Sequence, residues 1–466
     1  MMQLRVWQSE CITQALSLFE NQSHFLCHAT PAAGKTVMVA SVAKALFDRK
    51  KIDFVVCFSP SRAVAQSVAT TFSQILERSF SGRIGAAGGS YTYQSMSTLP
   101  KELWQVLRDH RVLVVLDEIH HCSGAGSDDF LVGNSWGRTI LDRIQGRASY
   151  TIALTGTPWR TDDTPIALAR YTQPDGELHC DYEYGLRRAV SDGVCREPRI
   201  VLTDNREIHL SSSEHGVQTY SSIRDSIKHG HISYPEFLFR DEVIDHTLSE
   251  ASKKLSEIRQ HTPNAGGLVV AATVAHAEHI ASRLAGLGER SVVVSCRAPN
   301  AHQTIDNFRA SGDRWIISVG MITEGTDIPR LQVCCHLSRI RTELHFRQVL
   351  GRILRLQAGE PSHIGGWLYV LAEQNLTEFA HRIGEDLPEQ TVVSFSPKPL
   401  KHNFDGLNGR TALPHNTDTS ESDIKLDIGG TWGADKGIAP PSESTTLTIS
   451  NHYWNEILSL FEGQVV

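Results

Sequence analysis

The stretch Ala29-Thr30-Pro31-Ala32-Ala33-Gly34-Lys35-Thr36 decides how this chain is read. It follows an apolar run at 24–28 and opens a helical pattern at 35–47. In a turn between a buried strand and a helix, backbone N–H groups and the helix N-terminus cradle phosphate oxygens. In that setting Lys35 is placed to reach the β- and γ-phosphates of a nucleotide. Thr36 is placed to put its hydroxyl on a Mg²⁺ ion.

Outward from this turn, apolar runs at 53–59, 111–116 and 150–155 read as buried strands, with a helical pattern at 63–77 between them. Strands that alternate with helices predict crossover units and a mostly parallel sheet, an α/β fold. The pattern stops near Arg160, and 161–245 is mixed and polar. Alternation then resumes, with strands expected at 267–272, 291–295, 315–319, 333–337 and 367–371 and helices at 274–285, 301–310 and 343–354. The expected organisation is a first nucleotide-binding domain over 1–200, a linker or insertion over 201–245, a second α/β domain over 246–385 and a tail over 386–466. The tail is rich in Ser, Thr, Gly, Asp and Pro, which predicts poor order. Tyr453, Trp454, Ile457, Leu458, Leu460 and Phe461 form an apolar stripe near its end, read as a short docking helix.

The chain has 466 residues, 40% hydrophobic and 21% charged, enough for two cores. Its net charge of −7 argues against a passive binder that relies on clustered Lys and Arg. It leaves room for a protein that grips phosphates with backbone N–H groups and a few hydroxyls. None of the nine cysteines forms a C-x-x-C pair, so the expectation is a reducing, cytoplasmic setting with no zinc ribbon or disulfide framework. The N-terminus does not read as a signal peptide, and no apolar run approaches the ~20 residues that span a bilayer.

The second chemical cluster is Asp117-Glu118-Ile119-His120, directly after an apolar run. Carboxylates at the C-terminal end of a central parallel strand stand where open α/β sheets bind ligands. Asp117 can hold Mg²⁺, largely through waters, and Glu118 can orient and deprotonate an attacking water. His120, His121 and Cys122 have no matching ligand cluster nearby. His120 is read as a hydrogen-bonding relay rather than a metal ligand.

With these residues in place, the chain resembles the superfamily 2 helicases and translocases over 4–371. Within them it looks most like the group containing XPB, UvsW, RadD and the motor subunits of type I and III restriction enzymes. The resemblance implies two tandem RecA-like domains, ATP and Mg²⁺ as cofactors, and a nucleic-acid partner. Leu4-Arg5-Val6-Trp7-Gln8 is similar to the adenine-contacting opening, with Gln8 on the base edge and Arg5 in support. The segment 29–36 resembles motif I, so Thr30, Pro31, Ala32, Ala33, Gly34, Lys35 and Thr36 are assigned to the nucleotide. Ser59 and Arg62 fall in a block similar to motif Ia, and Thr92, Tyr93 and Gln94 in a following strand-contact block. Asp117 to His120 is a DEIH form of motif II. Thr155-Gly156-Thr157-Pro158 resembles motif III, in which Thr155, Thr157 and His120 would couple the nucleotide to the bound strand.

Residues 269–273, with His276 and Ala277, resemble motif IV. Thr323-Glu324-Gly325-Thr326-Asp327-Ile328-Pro329 resembles motif V, with Thr323 on nucleic acid and Gly325 and Asp327 toward the nucleotide. Gln348, Arg352 and Arg355 match motif VI. On one helix, their spacings of four and three residues put all three on a shared face. That face can point across a cleft at the γ-phosphate, where arginines stabilise the transferring group.

Ala29 stands where the general phosphate-loop pattern has Gly, and Ala32 where the family has Gly; the second departure is the one that matters. If the backbone there needs φ > 0, Ala costs roughly 1 kcal/mol. The resemblance implies DNA in preference to RNA, through the DEIH box, the TGTP form of motif III and the likeness to DNA translocases, and 3′ to 5′ movement. The competing expectation is a nucleotide-switched assembly subunit whose protein partner, such as a nuclease in a repair, restriction or defence complex, supplies the grip or the cut. No membrane partner is expected.

Overall fold

In the computed structural model, the described residues are 3–124, 134–157, 164–172, 176, 178–212, 216–230, 232–295, 298, 300–320, 328–357, 360, 364–384 and 446–459. The first half runs α1 (Val6–Leu18), β1 (His24–Ala29), α2 (Lys35–Asp48), β2 (Phe54–Ser59), α3 (Arg62–Leu76), β3 (Gly88–Thr92), α4 (Lys101–Asp109), β4 (Val112–Asp117), α5 (Ser135–Arg143) and β5 (Tyr150–Thr155). A small ribbon of β6 (Arg170–Tyr171) and β7 (Leu178–His179) follows, then β8 (Tyr182–Tyr184) and α6 (Leu186–Ser191). The strands form one sheet in the order β3-β2-β4-β5-β1-β8, with every pairing parallel. Helices cover such strands on both sides, so β4 reads as an unbroken apolar run and is buried from Val112 to Leu116.

The second half runs β9 (Pro198–Asn205), β10 (Ile208–Ser212), β11 (Gly216–Tyr220), α7 (Ile223–His229), α8 (Tyr234–Leu238), α9 (Asp241–His261), β12 (Gly266–Ala271), α10 (Val274–Gly286), β13 (Ser291–Ser295), α11 (Ala301–Ala310), β14 (Trp315–Val319), β15 (Leu331–Leu337), α12 (Glu343–Ile353), β16 (Gly366–Leu371) and α13 (Gln374–Gly384). β17 (Thr446–Ile449) and β18 (Tyr453–Ser459) close the described chain. The second sheet is ordered β13-β14-β12-β15-β16-β9-β18, and its last pairing alone is antiparallel. The mostly parallel, helix-flanked α/β architecture read from the sequence is present in both halves.

Two expectations change. β9 pairs with β16 along its length, so the second sheet begins at Pro198 rather than after a linker. The stretch read as a linker or insertion is a folded insertion rather than a linker: Ile223, Tyr234, Phe237 and Leu238 are buried, and β10 pairs with β11 and β17 in a small antiparallel sheet. The apolar stripe near the C-terminus is a strand, not a docking helix. β18 adds to the edge of β9, and Thr203 Oγ1 donates a 2.9 Å hydrogen bond to Asn455 Oδ1. Aromatic and β-branched residues suit a pleated edge, and pairing with β9 satisfies the backbone groups along β18. Leu460 and Phe461 lie outside the described residues. Among the described residues, no helix is long and apolar enough to cross a membrane.

Candidate nucleotide-binding and motor site

Parallel strands in one sheet bring their C-terminal ends to a common edge. β1 ends there in the phosphate turn, β4 in Asp117 and β5 in Thr155. α2 begins at Lys35 behind Gly34, whose φ of +93° is one that glycine adopts without penalty. A Cβ on Gly34 would also stand 3.0 Å from Gln8 Nε2. Ala32 has φ +69°, so the substituted position does take the left-handed backbone. Ala32→Gly removes a strain of roughly 1–2 kcal/mol but frees the unfolded chain by about 0.4–1 kcal/mol. The expected result is a net gain of about 0.5–1 kcal/mol with nucleotide affinity kept or improved. Denaturant unfolding and nucleotide titration of the variant check it; a loss of stability would show that the turn is not strained.

Arg5 and Gln8 reach the turn from the start of α1. Arg5 Nη1 donates to Ala33 O at 2.8 Å, and Gln8 Nε2 donates to Gly34 O at 3.0 Å. Gln8 Oε1 accepts from Arg5 N at 2.9 Å, so the pair braces the turn. Trp7 stacks on Tyr184 at 4.7 Å and fixes α1 to the sheet edge beside β1. Thr30 is buried, and its N–H donates to Tyr184 O.

Lys35 Nζ donates to Ala29 O at 3.0 Å and lies 3.5 Å from Glu118 Oε1. Glu118 has φ +51°, and its Oε2 accepts from Gly156 N at 3.1 Å. Burial opposes ionisation of Glu118, but Lys35, His120 and the Gly156 N–H outweigh it and hold the carboxyl below its ordinary range. Asp117 behaves in the opposite way. Burial and the adjacent Glu118 charge push it up to about 7, against the pull of Lys35. A buried carboxylate so destabilised is one that a divalent cation would keep ionised. With the Thr36 hydroxyl at the start of α2, the donor set fits Mg²⁺, which takes one or two protein oxygens and completes its shell with water and phosphate.

His120 links this acidic pair to the end of β5. Thr155 Oγ1 donates to Thr157 O at 2.7 Å, which uses its only proton. The 3.0 Å contact between Thr155 Oγ1 and His120 Nδ1 therefore has Nδ1 as the donor. The same nitrogen lies 3.3 Å from Thr157 Oγ1 and 3.5 Å from Glu118 Oε2. The structure thus brings His120, Thr155 and Thr157 together with Glu118.

α12 carries Gln348 and Arg352, both half-buried. It ends at Ile353, so Arg355 is not on the helical face expected for it. Arg355 instead forms an isolated antiparallel bridge with Cys195. The thiol of Cys195 points at Pro31 O, 3.7 Å away. A Cβ on Gly351 would come within 2.6 Å of Pro31 Cβ, so α12 is seated directly on the phosphate turn. A proline ring gives way little. Gly351→Ala is therefore expected to pry the two halves apart and slow ATP turnover on the order of 10²-fold, as misplacements of about 1 Å do. Turnover assays with circular dichroism as a folding control check this; unchanged turnover would mean that the contact is dispensable.

Of the residues expected on nucleic acid, Arg62 and Gln94 are exposed and Thr92 is half-buried. They lie at the C-terminal ends of the neighbouring β2 and β3, where Ser59 and Thr92 are register partners. Ser59 and Tyr93 do not fit the expectation. Both are fully buried, and Tyr93 donates its hydroxyl to Asp117 O at 2.8 Å. Tyr93 serves the acidic strand end rather than a surface. Thr323, Gly325 and Asp327 lie outside the described residues. The sequence reading passed over His28, one residue before the phosphate turn. Burial, helped by Lys35 and Arg347, lowers its pKa to about 4, so it is neutral beside Lys35. A histidine abutting the Ala29 turn was the available signal.

Residues 1–160 match the family model described as "Type III restriction enzyme, res subunit". An uncharacterized protein of Mycobacterium tuberculosis is 30% identical over 404 residues, covering 81% of this chain and 62% of the relative. Another, from Mycobacterium leprae, is 28% identical over 396 residues, covering 82% of this chain and 64% of the relative. The chain thus spans less than two thirds of the length of the curated relatives it matches. Among solved structures, a fragment described as an HsdR subunit of a type I restriction enzyme from Vibrio vulnificus has 17% identity and a TM-score of 0.54. That match covers 81% of this chain and 65% of the other. The likeness is one of fold, two RecA-like units in tandem.

Proposed function

We propose that this chain is a member of the superfamily 2 helicases and translocases, and that it hydrolyses ATP between its two RecA-like units and so moves along or remodels DNA. One observation carries the reading. The lysine of the phosphate turn lies 3.5 Å from the glutamate of the acidic pair, while the arginine-bearing α12 is seated on the same turn through Gly351 and Pro31.

Lys35 and the N-terminus of α2 bind the β- and γ-phosphates, with Lys35 exchanging its Ala29 and Glu118 partners for phosphate oxygens. Thr36 and Asp117 would hold Mg²⁺, which would supply charge neutralisation on the phosphates. Glu118, ionised at neutral pH, orients the attacking water and takes its proton. Arg352 and Arg355, with Gln348 beside them, meet the transferring phosphoryl group from the second unit. Because nucleotide contacts come from both units, loss of the γ-phosphate releases one from the other, a hinge motion driven by nucleotide state. The His120 contacts with Thr155 and Thr157 pass a change at Glu118 to the end of β5. Arg62, Thr92 and Gln94 are assigned to the strand backbone, as are Thr323 for nucleic acid and Gly325 and Asp327 for nucleotide.

DNA is preferred to RNA because the matching family is that of a restriction-enzyme subunit. A second reading, a nucleotide-switched subunit that recruits a partner such as a nuclease, draws on the left-handed backbone at Ala32, which loads strain into the phosphate turn. Steady-state ATP turnover with Mg²⁺, against single-stranded, duplex and forked DNA and RNA at fixed low salt, separates them. Stimulation by one DNA form, with strand displacement or translocation, supports the motor. Nucleotide binding without stimulated turnover supports the switch.

A further inference from the structure

Arg196 is fully buried in the connector between the two units. A guanidinium has five N–H groups, and all five are engaged here. Nη1 donates to Leu331 O and Ile353 O, each at 2.9 Å. Nη2 donates to Pro329 O at 3.0 Å and to Glu360 Oε2 at 2.5 Å, and Nε donates to Glu360 Oε1 at 3.3 Å. The backbone N–H of Arg196 donates to Leu354 O at 2.8 Å. Glu360 is held in turn by Gln332 Nε2 and by the N–H of Gln357.

The acceptors are not scattered. Ile353 is the last residue of α12, Leu354 follows it, and Pro329 and Leu331 bracket the entry to β15. One residue earlier, Cys195 bridges to Arg355 while its thiol faces Pro31 O. Within two residues the connector therefore passes from the phosphate turn of the first unit to the end of the arginine helix of the second. The Arg355 backbone lies between Cys195, its bridge partner, and Leu354, the acceptor for Arg196.

We infer that Arg196 is a positioning residue for the nucleotide site: it clasps the connector to the end of α12 and so sets where Arg355 stands against the phosphate turn. This inference rests on the proposed function. A guanidinium reads three backbone carbonyls and a carboxylate in one plane. A lysine at the same place keeps the charge but offers three donors from a single atom and cannot span them. The clasp does not touch nucleotide; it acts through Arg355.

The test is a double-mutant cycle of Arg196→Lys and Arg355→Ala in the full chain, with Glu360→Gln as a second way to loosen the clasp. Single-turnover hydrolysis, thermal unfolding and the preference for a non-hydrolysable ATP analogue over ADP are measured for each. Arg196→Lys is expected to remain folded and to bind nucleotide. Its hydrolysis rate should fall on the order of 10²-fold, with kcat reduced and KM little changed. In the Arg355→Ala background it should add nothing, because both act through one group. Glu360→Gln should give a smaller loss of the same kind. Additive losses in the cycle, or a parental rate in folded Arg196→Lys and Glu360→Gln, would overturn the inference. If the parent hydrolyses no ATP, the functional reading fails by itself. The clasp is then judged on the analogue-to-ADP preference, and a preference that Arg196→Lys leaves unchanged overturns it.

Discussion

Arg355→Ala is expected to lower ATP turnover by on the order of 10³- to 10⁵-fold while leaving nucleotide bound, the range seen when an arginine is withdrawn from a transferring phosphoryl group. α12 stops at Ile353, so Arg352 projects from its last turn and Arg355 from the bridge to Cys195 beyond it. Cys195 faces Pro31 O, and that contact places the Arg355 backbone beside the phosphate turn. Arg352 starts from the helix whose Gly351 meets Pro31. The two arginines therefore approach from different backbones and are not interchangeable. Arg355→Lys should recover little, since an ammonium cannot reproduce the planar fork. Single-turnover hydrolysis with bound nucleotide quantified separately decides it. A residual rate within about tenfold of the parent would move the finger role to Arg352 alone.

What the sequence disclosed and what it withheld divide along the distance over which each feature is determined. The phosphate turn and the acidic pair are local: each needs an apolar strand, a turn and a few named residues in order, and the structure places Lys35 and Glu118 in contact as that order implies. The strands of both parallel sheets were legible for the same reason, as short apolar runs between helical patterns. β3, β8, β9 and β18 were not. β9 carries polar Thr203, Asp204 and Asn205 at its end, and its partners are set by the fold; Asn205 Nδ2 reaches Ser450 O across 245 residues of chain. No window of sequence contains that pairing, and an apolar stripe of seven or so residues serves a helix or an edge strand equally well. Ser59 and Tyr93 show a second limit. A motif block names a strand end but not which of its side chains turn inward: Ser59 at the end of β2 and Tyr93 in the tight turn just after β3 are buried, while Arg62 at the start of α3 and Gln94 stay exposed. Arg196 shows a third. An arginine in a polar stretch reads as solvated, and only the acceptors gathered around it reveal that every donor is used.

Glu118→Gln should slow turnover by a different route, keeping nucleotide on the protein. The amide is isosteric, and its oxygen can still accept from Gly156 N, so the left-handed turn at Glu118 and the end of β5 should keep their shape. What is lost is the base and the negative charge facing Lys35. A positioned general base is worth on the order of 10²- to 10⁴-fold, and turnover should fall by that amount. Nucleotide affinity should hold or rise, because Lys35 no longer divides its charge between Glu118 and phosphate. Lys35→Ala, by contrast, should lose the nucleotide itself. The pH profile gives an independent reading. Glu118 is held below its ordinary range by Lys35, His120 and the Gly156 N–H, although burial pulls the other way. With Mg²⁺ saturating and so keeping Asp117 ionised, the base form of Glu118 should therefore persist through neutral pH, and turnover should fail as pH drops through that depressed value. In the Gln variant this acid limb should vanish along with the rate. Hydrolysis by Glu118→Gln at the parent's rate, with the acid limb intact, would place the base elsewhere and leave Glu118 as a partner that merely steadies Lys35.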